Sequence, residues 1–329
     1  MSSTPQKPEE KRSLFSYARR GIRTALELVP ILLSTYLVVH VLKEYGVVQI
    51  LDRYLTPVLR LVGLRGELSI PLLSGYLGNI YFALGPAGAL QLTTKEATIL
   101  AVMLGLCHSL IIEAAILQKA GVSALRVTAW RLVISLGAGA LLNVIWSGGA
   151  VTSWLPEQAL LAGGPAVRLL PVLLMGIWKA FLFSLKIAAI VVTIVTLMEM
   201  ARGLGWIDRF AKACRPISGL LGISEEAIVP LMIGLMFGLT FGAAIIIEEA
   251  RRGIIARRDM FLVGIFLGLC HSVPEDTVIF IGIGANPAIQ LALRLSLAFA
   301  LTFALGRGAA LLARVRPSKR KEPETASPN

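Results

Sequence analysis

The sequence predicts an all-α integral membrane protein of two homologous repeats, inverted relative to one another, each with about three spanning helices plus a re-entrant hairpin. Three observations carry that expectation: a deficit of charge, long apolar runs, and a motif that occurs twice. Of 329 residues 56% are hydrophobic and 16% charged, whereas soluble domains run near about 25% charged. Mean hydropathy is +0.75. The runs Ile22–Val41, Val172–Leu197, Met260–Ile281 and Leu291–Ala313 reach or approach the roughly 20 residues that cross a bilayer core. No period-2 alternation marks strands of a closed barrel, so the spans read as helices.

The repeat is read from matched residues in matched order. Leu104-Gly-Leu-Cys-His-Ser109 recurs letter for letter as Leu267-Gly-Leu-Cys-His-Ser272. Around it, Lys95-Glu96 corresponds to Arg258-Asp259, and Glu113 to Asp276. Upstream, Gly63, Pro71 and Gly75 correspond to Gly222, Pro230 and Gly234. Earlier still, Leu51-Asp-Arg-Tyr54 corresponds to Ile207-Asp-Arg-Phe210, and Gly21 to Gly176. Chance does not deliver several matches in one order with rare Cys and His among them.

Each half then reads alike. A basic N-terminal segment (1–20) precedes repeat 1 (21–147), a linker (148–171) with Gly148-Gly149 and Gly163-Gly164-Pro165 follows, and repeat 2 (172–313) ends in a disordered basic tail (314–329). Within the repeats the order is a first span (21–43, 172–199), a basic amphipathic stretch (44–66, 200–225) and a Gly/Pro-rich segment (67–92, 226–250). A helix carrying Cys-His-Ser (95–118, 258–282) and a last span (123–147, 289–313) complete each copy. If the Gly/Pro-rich segments are hairpins that enter and leave on one side, each half has three spans and the halves are inverted. If they cross, the halves are parallel. Inversion places more Lys and Arg on the cytoplasmic side, including Lys119, Arg126, Arg202, Arg209, Lys212 and Arg215, and it is preferred.

The net charge of +12 is expected to face headgroups rather than nucleic acid. No small-residue cleavage site follows the first apolar run, so it is expected to stay as an anchor. The expected location is the plasma (inner) membrane with both termini cytoplasmic, the bilayer is the first partner, and a homo-oligomer is compatible with the sequence. Trp130, Trp146, Trp154, Trp178 and Trp206 are expected near span ends.

Two of the three histidines, His108 and His271, fall near the centres of apolar helices. Ionisable side chains there usually face a site, a path or a partner. A pseudo-two-fold axis would bring the two triplets together at the midplane. Ser109 and Glu113 are four apart and share a helix face, as do Ser272 and Asp276. The second copy adds Pro274 and Glu275. Pro274 removes the amide that would bond the Cys270 carbonyl, so a break is expected there, while Ile111 lets the first copy keep its ladder and makes the site asymmetric. His108, Ser109, Glu113, His271, Ser272, Glu275, Asp276 and, from the first hairpin, Asn79 are the candidate substrate or proton-site residues.

Cys107, His108, Cys270 and His271 would suit Zn²⁺ or Fe²⁺, though adjacent residues point about 100° apart on a helix. The competing reading is small residues for helix packing and histidines hydrogen-bonded between helices. No cofactor is demanded. Neither a Walker-type loop, a His-Glu-x-x-His nor a Gly-x-Ser-x-Gly occurs, so an enzyme is not expected.

The Gly/Pro segments Ile70-Pro71-Leu-Leu-Ser-Gly75 and Val229-Pro230-Leu-Met-Ile-Gly234, each leading to a polar-centred helix, resemble those of nucleoside-recognition (Gate) domain membrane proteins. That group is similar to parts of the concentrative nucleoside transporters, the membrane region of ferrous iron transporter B, and the spore maturation proteins A and B. The resemblance implies a transporter-like fold with re-entrant segments, without implying that nucleosides are bound. The expected function is a secondary transporter or permease, proton-coupled, with a site between the repeats for a small solute or ion. A divalent-metal permease is a subtype, and a non-transporting scaffold or accessory subunit the alternative.

Overall fold

The computed structural model describes residues 14–119, 123–146, 151–152, 169–239, 245, 248 and 254–315. Most of the basic N-terminal segment, the linker and the tail, with Trp154, Glu249, Arg251 and Arg252, lie outside them.

The first half begins with helix α1 (Leu14–Glu44) and the amphipathic α2 (Val47–Leu59). Two short helices, α3 (Ser69–Leu77) and α4 (Ile80–Ala89), meet at Gly78-Asn79, where the Asn79 side chain accepts from the Phe82 amide at 3.1 Å. Gly75 of α3 packs against Ala83 of α4, so the pair folds back on itself as a hairpin. Helix α5 (Thr94–Leu106) starts on a Thr93–Glu96 capping box and is followed by α6 (Leu110–Lys119) and α7 (Ala124–Ile145). Strand β1 (Leu92–Thr93) pairs antiparallel with β2 (Val151–Thr152), two residues each.

The second half runs through α8 (Leu169–Gly203), α9 (Trp206–Ala213), α10 (Arg215–Leu221) and α11 (Ile228–Phe237). It ends with α12 (Arg257–Leu269), α13 (Val273–Ile281) and α14 (Pro287–Val315). Among the described residues six helical segments are long and apolar enough to span: α1, α5–α6, α7, α8, α12–α13 and α14.

Both Cys-His-Ser segments are broken, as expected for the second copy and against the expectation that the first keeps its ladder. Helix α5 ends before Cys107 and α6 begins after Ser109, and α12 and α13 flank Cys270–Ser272 in the same way.

The central and peripheral helices differ in what they bury. Every α5 residue from Glu96 to Leu106 is buried, as are Leu262 to Leu269 of α12. The flanking helices instead expose large apolar side chains: Leu26 and Val38 on α1, Leu125 and Val144 on α7, Leu174 and Leu185 on α8, and Phe303 on α14. In a membrane protein these outward faces meet lipid, and Trp130, Trp178 and Trp206 are exposed with them. The chain is an all-α integral membrane protein.

The two first spans pack in opposite directions. Arg20 pairs with Glu199, and Gly21 near the start of α1 abuts Val192 toward the end of α8. Reciprocally, Gly176 near the start of α8 abuts Leu37 and His40 toward the end of α1. Helices α1 and α8, the first long helix of each half, therefore run antiparallel. Arg65 is paired with Glu96 at 2.7 Å and Glu67 at 2.5 Å.

The same reciprocity holds at the centre: Gly105 of α5 faces the Arg294 side chain of α14, and Gly268 of α12 faces Arg131 of α7. A Cβ at Gly105 would stand 2.7 Å from Arg294 Cδ, while one at Gly137 meets nothing within 4 Å. Gly105→Ala should therefore lower thermal stability by about 1–3 kcal/mol through overpacking, whereas Gly137→Ala should leave it unchanged or raise it. Melting of both variants in the same detergent checks this.

Candidate functional site

The site is built on the two helix breaks. Ser109 (φ 49°) and Ser272 (φ 47°) are the only non-glycine residues with positive φ among those described. Such a conformation costs about 1–3 kcal/mol and persists only where neighbours impose it. The cause here is a hydrogen bond to the preceding hairpin helix. The Ser109 amide donates to the Gly75 carbonyl at 3.1 Å, and the Ser272 amide to the Gly234 carbonyl at 3.3 Å. Each helix restarts at once, with the Glu113 and Asp276 amides donating to the Ser109 and Ser272 carbonyls at 2.9 Å.

Pro274 is thus not the cause of the break. It lies in the first turn of α13, where its missing amide costs nothing, and the first copy breaks identically without proline. The expectation that Ile111 preserves the ladder is overturned. Ser109 and Ser272 stand just before the restarted helices and bond them through backbone carbonyls, rather than sharing a continuous helix face with the carboxylates.

Unwinding turns the two imidazoles toward each other. His108 Nε2 and His271 Nε2 lie 3.1 Å apart, both rings buried. Their other nitrogens are anchored: His108 Nδ1 to the Leu104 carbonyl at 2.7 Å and His271 Nδ1 to the Leu267 carbonyl at 2.6 Å. A carbonyl can only accept, so each Nδ1 carries the hydrogen. Glu113 Oε1 sits 3.3 Å from both Nε2 atoms.

Two arginines that the sequence analysis passed over hold the arrangement. Arg131 on α7 donates to the Leu106 carbonyl at 3.1 Å and the His108 carbonyl at 2.9 Å, and pairs with Glu113 Oε2 at 2.8 Å. Arg294 on α14 donates to the His271 carbonyl and to Asp276 Oδ2, each at 2.9 Å. Both are 1% exposed. They were findable, since they stand at the 163-residue spacing that separates the two histidines.

The candidates are otherwise distributed as follows. Asp276 pairs with Arg294. Glu275 is half-buried and accepts from Tyr81 of the first hairpin, a link between the halves. Asn79 serves as the cap of α4. Cys107 and Cys270 are fully buried at the ends of α5 and α12. Among the described residues the metal-capable cluster is His108, Glu113 and His271, without either thiol. Of the four residues expected for a metal, that cluster contains the two histidines.

Comparison with known proteins gives three findings. A family model described as Gate, nucleoside recognition, matches residues 25–123 and 184–287, one stretch in each half. The uncharacterized membrane protein YvoD of Bacillus subtilis (strain 168) is 35% identical over 285 residues, covering 87% of this chain and 91% of that protein. A solved structure of doubly substituted CNTnw in an outward-facing state is similar in fold, with a TM-score of 0.58. That likeness covers 87% of this chain and 75% of the other at 14% identity.

Removing one partner of a buried ion pair leaves a charge without compensation, at about 3–5 kcal/mol. Arg131→Met should cost that much, and Arg131→Met with Glu113→Gln should recover part of it. A double-mutant cycle on thermal or denaturant unfolding should therefore show strong coupling; additive losses would contradict the pairing.

Proposed function

From the premise that this chain belongs to the Gate (nucleoside-recognition) family of membrane proteins, we propose that it is a secondary permease. A small solute or ion would pass between its two halves, which we read as inverted repeats. The observation that carries this is the meeting of two broken helices, one from each half, with ionisable side chains converging between them. Discontinuous helices at a repeat interface are how many secondary transporters build a midplane site. The CNTnw likeness supports a transporter fold, and its implied nucleoside is not carried over, because three donor atoms within 3.3 Å of one another match an ion better than a nucleobase.

Alternating access needs contacts that can open. The Tyr81–Glu275 hydrogen bond links the first hairpin to the opposite half beside the centre, and it is the contact we assign to the gate. The Ser109–Gly75 and Ser272–Gly234 bonds lie within each half and would travel with it. The pairs Arg131–Glu113 and Arg294–Asp276 are each neutral together, so transport of a cation calls for a compensating charge movement, for which protons are the proposed coupling ion. We place the protein in the plasma membrane with both termini cytoplasmic.

Uptake into proteoliposomes under an imposed pH gradient tests this reading. Flux should appear with the gradient, collapse on adding a protonophore, and fall at least about tenfold in a folded Glu113→Gln/Asp276→Asn variant. A tenfold loss corresponds to about 1.4 kcal/mol of barrier. No flux for metals, nucleosides or organic anions would favour a non-transporting scaffold, and flux that survives the double substitution would contradict the site.

A further inference from the structure

The central cluster has an unbalanced donor account. With each Nδ1–H committed to a carbonyl, the neutral imidazoles present bare lone pairs at Nε2, and these point at each other over 3.1 Å. The third atom at the same place, Glu113 Oε1, is also an acceptor and lies 3.3 Å from each. Three acceptors converging in a buried pocket repel unless something positive sits among them.

Arg131 does not fill that role. Its contact is with the other carboxylate oxygen, Oε2. A single proton on one Nε2 would satisfy the 3.1 Å contact between the rings but not the carboxylate, since charge-assisted bonds from nitrogen to a carboxylate run about 2.7–2.9 Å. Glu113 Oε1 is instead equidistant from both rings and farther than that from each. Equal, somewhat long separations describe donors arranged about a common centre.

The geometry points to a transition-metal site: His108 Nε2, His271 Nε2 and Glu113 Oε1 are three ligands for a divalent first-row ion of the Zn²⁺ class. Ligand atoms about 2.0–2.1 Å from a tetrahedral ion stand about 3.3–3.4 Å apart, and the three separations here are 3.1, 3.3 and 3.3 Å. A His₂Glu set leaves the fourth position open. Two imidazoles and one carboxylate select borderline metals; Ca²⁺ and Mg²⁺ require mainly oxygen ligands. The surroundings are those of a metal centre too. Both ligand imidazoles donate their second nitrogen to backbone carbonyls, and the ligand carboxylate is itself fixed by an arginine.

Because one ligand comes from the second half and two from the first, metal binding would tie the halves together. The site goes beyond the permease reading and does not depend on it: a bound ion could be cargo or a resident.

Cobalt(II) is the probe. The full-length chain, purified in detergent and stripped with chelator, should bind one Co²⁺ with the visible absorption of a tetrahedral centre, without thiolate charge transfer, and Zn²⁺ should displace it. Glu113→Gln and His271→Ala, in preparations that remain monodisperse, should weaken binding at least about tenfold. Cys107→Ser with Cys270→Ser should leave the spectrum unchanged. His271→Cys should keep the cobalt and add a thiolate charge-transfer band, a gain that a misfolded chain does not produce. Absent tetrahedral bands, a thiolate band in the unsubstituted protein, or full binding after loss of Glu113 would each overturn the assignment. A missing cobalt spectrum with intact solute uptake sinks the metal site alone; a cobalt spectrum with no flux sinks the permease reading alone.

Discussion

A helix broken in apolar surroundings frees carbonyls that water cannot reach, and each unsatisfied one costs several kcal/mol. At the two Cys-His-Ser breaks that demand is met by the site residues themselves. His108 and His271 bind the Leu104 and Leu267 carbonyls through Nδ1, Arg131 takes those of Leu106 and His108, and Arg294 takes that of His271. The bonds that make the breaks tolerable also choose the imidazole tautomer and fix the arginines. Those arginines, in turn, orient Glu113 and Asp276. Scaffold and site are one hydrogen-bond network.

The network is nearly two-fold, and the departure from symmetry that matters at its centre is one methylene. Glu113 is long enough to bond Arg131 with one oxygen and reach both imidazoles with the other. Asp276, at the equivalent place, stops at Arg294. A duplicated frame thus carries a single central carboxylate. Pro274 suggests an asymmetry of the backbone, yet both copies break alike, and the central carboxylate differs through side-chain length.

Much of this was legible in the residues. Apolar runs located the spans, and the recurring hexapeptide drew the eye to the two histidines that meet, because composition and spacing report directly on solvent and pattern. The breaks were not legible in the first copy, where Cys107-His108-Ser109 contains no helix breaker. They depend on a hydrogen bond from Ser109 to Gly75, a tertiary contact that no local propensity encodes. Arg131 and Arg294 were overlooked because a basic residue in a span reads as a charge near a headgroup, although their repeat spacing marked them as a pair. The cysteines attracted attention by rarity, yet they pack at helix ends, and the carboxylate on the next helix supplies the third donor.

The central claim is that both helix breaks lock their imidazoles with Nδ1 protonated and Nε2 bare, facing each other across the two halves. Nitrogen-15 spectra of histidine-labelled, metal-free protein at mildly alkaline pH test it most directly. The account predicts that His108 and His271 are both in the Nδ1–H form, assigned by loss of each signal in its own substitution variant. It also predicts that the two bare Nε2 signals shift together when a diamagnetic divalent metal is added. An Nε2–H tautomer at either residue, or Nε2 signals that respond independently of one another, would contradict it.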